Sequence, residues 1–347
     1  MDAVSVSDRV VILANTLETK TTDLLKNTQF ANMPFNLTEL KGGGNNLLYK
    51  INFHDISLVL KVYESIGNRE RLPSEWKFLS LLSKVEQNFS TPKPIVMNLD
   101  ENLAIYSFVQ GKKLSPSTLK ATHIEQAASF LKNLNSMDLR SRAKQLPNAS
   151  DAGFSLSEHI NILDARLAKL SKFSISNNLK DQIFQCREKL DNRLNFIYNH
   201  FPFQLTKQQQ VVSPSDFGFH NALVNSKNFV SFIDFEYAGW DDPAKTVADF
   251  FFQPQIEVPS EYLSLLCDAC FGFYPENDRQ MHISRSMSMR PIFGLKWCCI
   301  ILAPFDTLYQ EKISTKSSND LINIQRNRIN SAEKMIKVTI KLLNEDP

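Results

Sequence analysis

Two rhythms of apolar residues divide the chain near residue 110. Before it, short runs alternate and are rich in β-branched residues, as in Leu47-Leu-Tyr-Lys-Ile51 and Ser57-Leu-Val-Leu-Lys61-Val-Tyr63, which reads as strands. Downstream, Pro73 suits a first helical turn, and Trp76, Leu79 and Ser83 recur at helical spacing. From Leu37 to Phe108 the pattern predicts strand, strand, helix, strand, strand, with cap helices before about residue 33 (Val10, Leu13, Leu17; Leu24, Leu25). Gly111 marks a hinge. Beyond it the helical period dominates: a helix opened by Ser115-Pro116 and running to about Met137, then two long amphipathic helices over 156–201 broken near 174–178. A short hairpin over 222–233 turns at Asn225 to Asn228, and helices close the chain at 260–270, 284–302 and 321–344. The reading is an α+β fold in two lobes: a small mixed lobe over 1–110 and a larger, mainly helical one over 111–347, with a helical insert at about 156–201.

Composition removes several classes of function. With 43% hydrophobic and 22% charged residues and a net charge of +2 with signs interspersed, the 347-residue chain has a core of ordinary size and no basic footprint for nucleic acid. Its longest apolar run, Trp297 to Phe305, is far shorter than the roughly 20 residues of a membrane span. The early Asp2 and lack of a basic leader argue against a secretory signal, so a cytoplasmic location is expected. Five cysteines fit a reducing compartment. Cys267 and Cys270 have C-x-x-C form, but with Leu263, Leu266 and Phe271 they make an apolar helical stripe, so buried thiols are expected over a zinc site.

The chemistry concentrates in Ser213-Pro-Ser-Asp216-Phe-Gly-Phe-His-Asn221 and in Ile233-Asp234-Phe235-Glu236-Tyr237. A carboxylate, an amide five positions later and a second carboxylate after a short strand are what phosphoryl transfer needs together. Asn221 and Asp234 are hard oxygen donors of the kind Mg²⁺ prefers. Alone, Asp and Asn at this spacing also make ordinary turns. Upstream, Gly42, Gly43, Gly44 and Asn46 form a glycine turn between strands, and Lys61 sits on the next strand, an arrangement that lets backbone N–H groups and one ammonium meet phosphates. The alternatives are a flexible hairpin and a snorkelling edge lysine. Glu75, fourteen residues after Lys61, is placed to hold its ammonium, with Glu70 as competitor. A strand lysine adds little packing, so losing Lys61 is expected to leave folding nearly intact. His220 reads equally as a substrate contact or a turn residue.

In this order the motifs resemble the aminoglycoside phosphotransferase and choline kinase-like superfamily of small-molecule kinases, over about Leu40 to Phe252; Ile233 to Pro243 followed by Asp249-Phe250 is especially similar to the choline and ethanolamine kinase branch. The resemblance implies a protein-kinase-like two-lobed fold, ATP and Mg²⁺ as cofactors, Asp216 as catalytic base, and Asn221 and Asp234 as metal ligands. It further implies phosphate binding by Lys61 with Glu75, adenine against the backbone of Ser107, Phe108 and Val109, and Asp249 bracing the catalytic loop. In such kinases helices like those over 156–201 wall the acceptor site. One departure stands out: where the family usually has His or Asn and then Gly or Asn before the catalytic Asp, this chain has Pro214 and Ser215.

The acceptor is less defined. Trp240 and Trp297 with Glu236 or Asp306 suit a choline-like cation, although Phe is abundant at 25 residues and most rings belong to the core. A sugar or amino-sugar hydroxyl fits as well, with Arg285, Arg290 and Asp306 as polar contacts, and is slightly preferred because the choline-like signature surrounds the metal ligands and not the acceptor. The reading is a small-molecule kinase without nucleic-acid or membrane partners; the alternatives are a catalytically silent nucleotide-binding module and a protein kinase.

Overall fold

The computed structural model describes residues 6–40, 46–63, 70–85, 89–201, 204–306 and 318–345. Its first part is a five-stranded antiparallel sheet in the order β1 (Asn36–Glu39), β2 (Asn46–Asn52), β3 (Ser57–Tyr63), β5 (Leu103–Ser107), β4 (Pro94–Asn98). One more strand precedes α2 than the sequence pattern counted, because the edge strand β1 has only four, mostly exposed residues with no apolar alternation. The twofold period of a strand sorts β3 by face. Leu58 and Leu60 enter a core with Ile51, Leu103, Ile105 and, from α1 (Val6–Leu25), Leu24 and Leu25. Val59 and Lys61 face the other way, into a cavity. On that side α2 (Arg71–Leu82) buries Leu72, Phe78 and Leu79, and Phe78 stacks on Phe235 at 4.9 Å between ring centres. Packing therefore runs directly from the sheet to the second acidic motif.

The remainder is mainly helical. Strand β6 (Lys112–Lys113) pairs with β8 (Ala222–Val224), which pairs with β9 (Val230–Phe232); β7 (Val211–Ser213) pairs with β10 (Gly239–Asp241). Helix α3 (Ala121–Leu134) begins later than Ser115, because the Ser115 carbonyl accepts from Thr118 and Leu119 N–H and its own N–H donates to Thr118 Oγ1, closing a local turn. The short α4 (Met137–Arg142) follows. The insert consists of α5 (Leu156–Leu170) and α6 (Asn177–His200), each capped by a serine hydroxyl. Their apolar faces meet α9 (Glu276–Ile301) and α10 (Ser318–Asn344) in one cluster that includes Leu163, Ile183, Phe293 and Ile336. Between these lie α7 (Pro243–Phe252) and α8 (Leu263–Phe271).

Helix α9 starts eight residues earlier than its apolar period suggested, because its first turns are polar, with Glu276 and Asp278 near the N-terminus. By length and composition the 276–305 stretch could cross a membrane, but 83% of its most apolar window is buried within the protein, as in a central core helix. All five cysteines are free and buried: Cys267 and Cys270 pack with Phe271 and Tyr274, while Cys298 and Cys299 lie in the separate cluster around α9.

One joint fixes α5, α7 and α9 together. Asp242 caps α7 by accepting from Ala244 N–H at 2.8 Å. Its carboxylate also takes both arms of Arg285 at 2.9 and 2.7 Å and His159 Nε2 at 3.0 Å, with every partner buried. Burial would raise the Asp242 carboxyl, but Arg285 and His159 outweigh it and hold it far below the ordinary carboxylate range. Because the folded value lies below the unfolded one, near 3.9, the joint stabilises fully above that pH and weakens as pH falls below it. Arg285→Leu strands a buried carboxylate and is expected to cost about 3–5 kcal/mol near neutral pH. In urea melts the gap between the native chain and this variant should narrow below about pH 4; a small gap, or one independent of pH, would contradict this.

Candidate active site

The loop that carries Asp216 leaves β7 at Ser213 and reaches β8 at Ala222. Ser215 adopts φ 66°, the left-handed region that Gly or Asn enters more readily, and local bonds hold it there. Its N–H donates to Ser213 Oγ at 3.0 Å, and Asp216 N–H donates to Pro214 O at 3.0 Å. The Ser215 hydroxyl lies 3.4 Å from Ser150 O and accepts from Lys245 Nζ at 3.3 Å. The segment carrying Ser150 is pinned by Gly239, where a Cβ would stand 2.2 Å from Pro147 O, and by the Ser150 N–H to Tyr237 O bond at 3.0 Å. Only glycine admits that approach. The residues that replace the usual loop sequence are thus tied in by serine hydroxyls and a buried lysine.

Asp216 is fixed from its own loop. His220 Nε2 stands 3.1 Å from Asp216 Oδ1, and the Asn221 amide N–H group reaches Asp216 O at 3.0 Å and Oδ2 at 3.2 Å. Of the two readings open for His220, neither describes it fully: it orients the carboxylate. Burial pushes the Asp216 carboxyl up, yet the hydrogen bonds from His220 and Asn221 prevail and hold it below the ordinary range. With its N–H group donating, the Asn221 amide oxygen remains available to a cation.

Across the cavity Lys61 Nζ donates to Glu75 Oε2 at 2.6 Å and to Asp234 Oδ1 at 2.7 Å. Glu75, not Glu70, is the partner, because Glu75 lies on the buried face of α2 whereas Glu70 stands before its first turn. The same Glu75 accepts from Tyr63 OH at 2.6 Å and, through Oε1, from Phe235 N–H at 3.0 Å. Asp234 also has positive φ, 67°. Burial opposes the charge of Lys61, but Asp234, Glu75 and Glu236 together hold its ammonium well above the usual lysine range.

Glu236 corrects one expectation. It is buried beneath Lys61, where it accepts from Asn46 Nδ2 at 2.5 Å and lies 3.5 Å from both Lys61 Nζ and Arg71 Nη1, and it does not line the cavity in which an acceptor would sit. Asn46 is thereby anchored at the start of β2; Gly42, Gly43 and Gly44 lie outside the described residues.

A cavity of about 790 Å³ connects these groups, lined by Leu48, Val59, Ser107, Phe108 and Val109 on the sheet side and by Asp216, Asn221 and Asp234 opposite. Ser107 N–H is already donated to Lys93 O at 2.8 Å, which leaves the Phe108 and Val109 backbone for a ligand edge. Further along, Lys245, Asp249, Lys296 and Trp297 line the space. Asp249 bonds Lys296 at 2.9 Å, Trp297 Nε1 at 2.8 Å and Lys245 at 3.1 Å, and Lys245 in turn bonds Ser215 of the loop that carries Asp216. Trp240 stands outside the cavity lining, its indole N–H donated to Ala143 O at 3.0 Å; Asp306 is likewise not among the lining residues. Arg285 is spent on Asp242, and Arg290 lies over the Phe252 ring at 5.9 Å; neither lines the cavity. The sequence reading missed Tyr63, Arg71 and Lys245. Lys245 and Asp249, four apart on an otherwise apolar helix, with Asp241 four residues before Lys245 at the end of β10, were a usable signal for Lys245.

Known proteins resemble the chain in family and in fold. The model of APH, the phosphotransferase enzyme family, matches residues 36–272. Among solved structures, the choline kinase of Cryptosporidium parvum Iowa II is similar at TM-score 0.61 and 16% identity, over 94% of this chain and 100% of that one. A Plasmodium vivax ethanolamine kinase is similar at TM-score 0.59 and 15% identity, over 98% and 97%. A Ralstonia eutropha protein described as a candidate aminoglycoside phosphotransferase is similar at TM-score 0.60 and 14% identity, over 94% and 98%. No curated protein matches the chain by sequence. At these identities the solved structures establish the shared two-lobed α+β kinase fold, and the family match covers more than half of the chain. The chain belongs to the phosphotransferase enzyme family.

Proposed function

We propose that the protein transfers the γ-phosphoryl group of ATP, with Mg²⁺, to a hydroxyl of a small metabolite. One observation carries this reading: Asp216, Asn221, Asp234 and the Lys61–Glu75 pair converge on a single cavity from four separate stretches of sequence. The donor set fits a hard divalent ion, since the Asn221 amide oxygen is free of the Asp216 bonds and Asp234, with a 41% exposed side chain, gives only one oxygen to Lys61. When bound, Mg²⁺ neutralises charge on the phosphates. Lys61 meets the phosphate oxygens, and the backbone at Phe108 and Val109 meets the base. Asp216 accepts the acceptor's proton while its hydroxyl oxygen bonds to the γ-phosphorus; the bond to the bridging oxygen breaks and ADP leaves with that electron pair.

A sugar-type acceptor suits the site better than choline. A quaternary amine needs open aromatic faces or unpaired carboxylates. Here Trp240 lies outside the cavity, Glu236 is under Lys61, and Trp297 is only 8% exposed.

The separate roles predict separate losses. Asp216→Asn is expected to keep MgATP affinity by calorimetry while lowering acceptor-dependent ADP release by about 10²–10⁴-fold. Asp234→Asn is expected to weaken nucleotide binding in Mg²⁺ and far less in EDTA. Equal loss of Mg²⁺-dependent binding in both variants would overturn the assignment.

Lys61 also carries a structural load that the sequence did not reveal. Lys61→Met removes the one ammonium that, among the described residues, is bonded to Glu75 and Asp234, and is expected to destabilise the fold by about 3–5 kcal/mol besides abolishing turnover. A denaturation midpoint unchanged from the native chain would contradict the shared-ammonium geometry.

A further inference from the structure

At the end of the cavity away from the sheet, α5 contributes Arg166, α9 Lys296 and α10 Arg328, in the same space as Asp216. The carboxylates at this end are already engaged. Asp249 is shared by Lys245, Lys296 and the Trp297 indole, and Asp151 is bonded to Arg166. Asp216 is bonded to His220, and the other carboxylates lining this end are bonded to lysine or arginine. The basic groups are less fully used: Arg166 Nε is buried with no hydrogen-bond partner, and Arg328 makes no ion pair among the described residues although it lines the cavity and is half-buried.

A buried guanidinium N–H without an acceptor is a standing cost that an anion removes, and the fork of an arginine matches a carboxylate or phosphate in two bonds. An ammonium on the acceptor would find the reverse, with paired carboxylates and nearby like charges. We propose that the acceptor is a hydroxylated anion whose carboxylate or phosphate group docks between Arg166 and Arg328 while its hydroxyl faces Asp216. The proposal rests on the phosphotransferase reading for the hydroxyl alone; the charge of the ligand follows from the wall of the cavity.

Equilibrium binding separates the two. With the full chain saturated in Mg²⁺ and ADP, so that nucleotide does not occupy the basic groups, D-gluconate and D-glucose 6-phosphate are titrated calorimetrically beside choline and D-glucosamine. At least one anion is expected to bind at least about tenfold more tightly than either amine, and which anion wins distinguishes carboxylate from phosphate. Arg328→Glu is expected to narrow or reverse that order, and Arg328→Gln to weaken the anions without favouring the amines; far-ultraviolet melts confirm that both variants fold. Amines bound as tightly as the anions, no binding by any of the four, or an order unchanged in Arg328→Glu would each overturn the assignment. Tight anion binding with no ADP release from MgATP would leave the charge assignment standing and count against phosphoryl transfer.

Discussion

One ammonium holds the site together. Lys61 Nζ lies 2.6 Å from Glu75, 2.7 Å from Asp234 and 3.5 Å from Glu236, and oxygens of those three carboxylates come within 4.8 Å of one another. Three like charges that close need a cation among them. The lysine comes from β3, Glu75 from α2, and the other two from the segment after β9, so this one contact joins the sheet to the segment that carries Asp234. Phe78 stacked on Phe235, and Glu75 accepting Phe235 N–H, reinforce that joint. Of the three carboxylates only Asp234 is substantially exposed, which leaves it as the one able to face a ligand-bound cation.

The opposite side of the cavity relies on a second buried joint. Asp242 gathers α5, α7 and α9 through His159, its own cap and Arg285, and α7 then presents Lys245 to Ser215 and Asp249 to Lys296. The loop that carries Asp216 is therefore shaped from behind by a helix that is itself locked. This accounts for how Pro214 and a left-handed Ser215 stand where the family resemblance leads one to look for His or Asn followed by Gly or Asn: Ser213, Ser150 and Lys245 supply the local bonds.

Alternation and spacing made β2, β3, α2, the hairpin and the insert helices legible, because each buries one apolar face against a neighbour and so repeats at its own period. The pairing of Lys61 with Glu75 was legible for the same reason, as strand and helix order fixed which faces meet. What escaped was set by tertiary contact. Nothing local to Glu236 distinguishes a residue turned under Lys61 from one turned to the acceptor, and nothing near Trp240 announces that Ala143 takes its indole N–H. By sequence Arg285 suits a polar contact to the acceptor, but Asp242, 43 residues away, takes both its arms. The far end of the cavity is assembled from α5, α9 and α10, so no single motif spells it.

The family, the fold and the geometry around Lys61 and Asp216 lead to one chemical claim, that phosphorus leaves ATP for a small hydroxyl compound. The most direct measurement incubates the protein and Mg²⁺ with γ-³²P-labelled ATP and a deproteinised small-metabolite pool, and follows the label by mass and chromatography. The account predicts label in a low-molecular-weight phosphate ester, formed with ADP one for one and dependent on both Mg²⁺ and the pool. Label that stays in ATP, or passes only to water, while MgATP demonstrably binds, would contradict it.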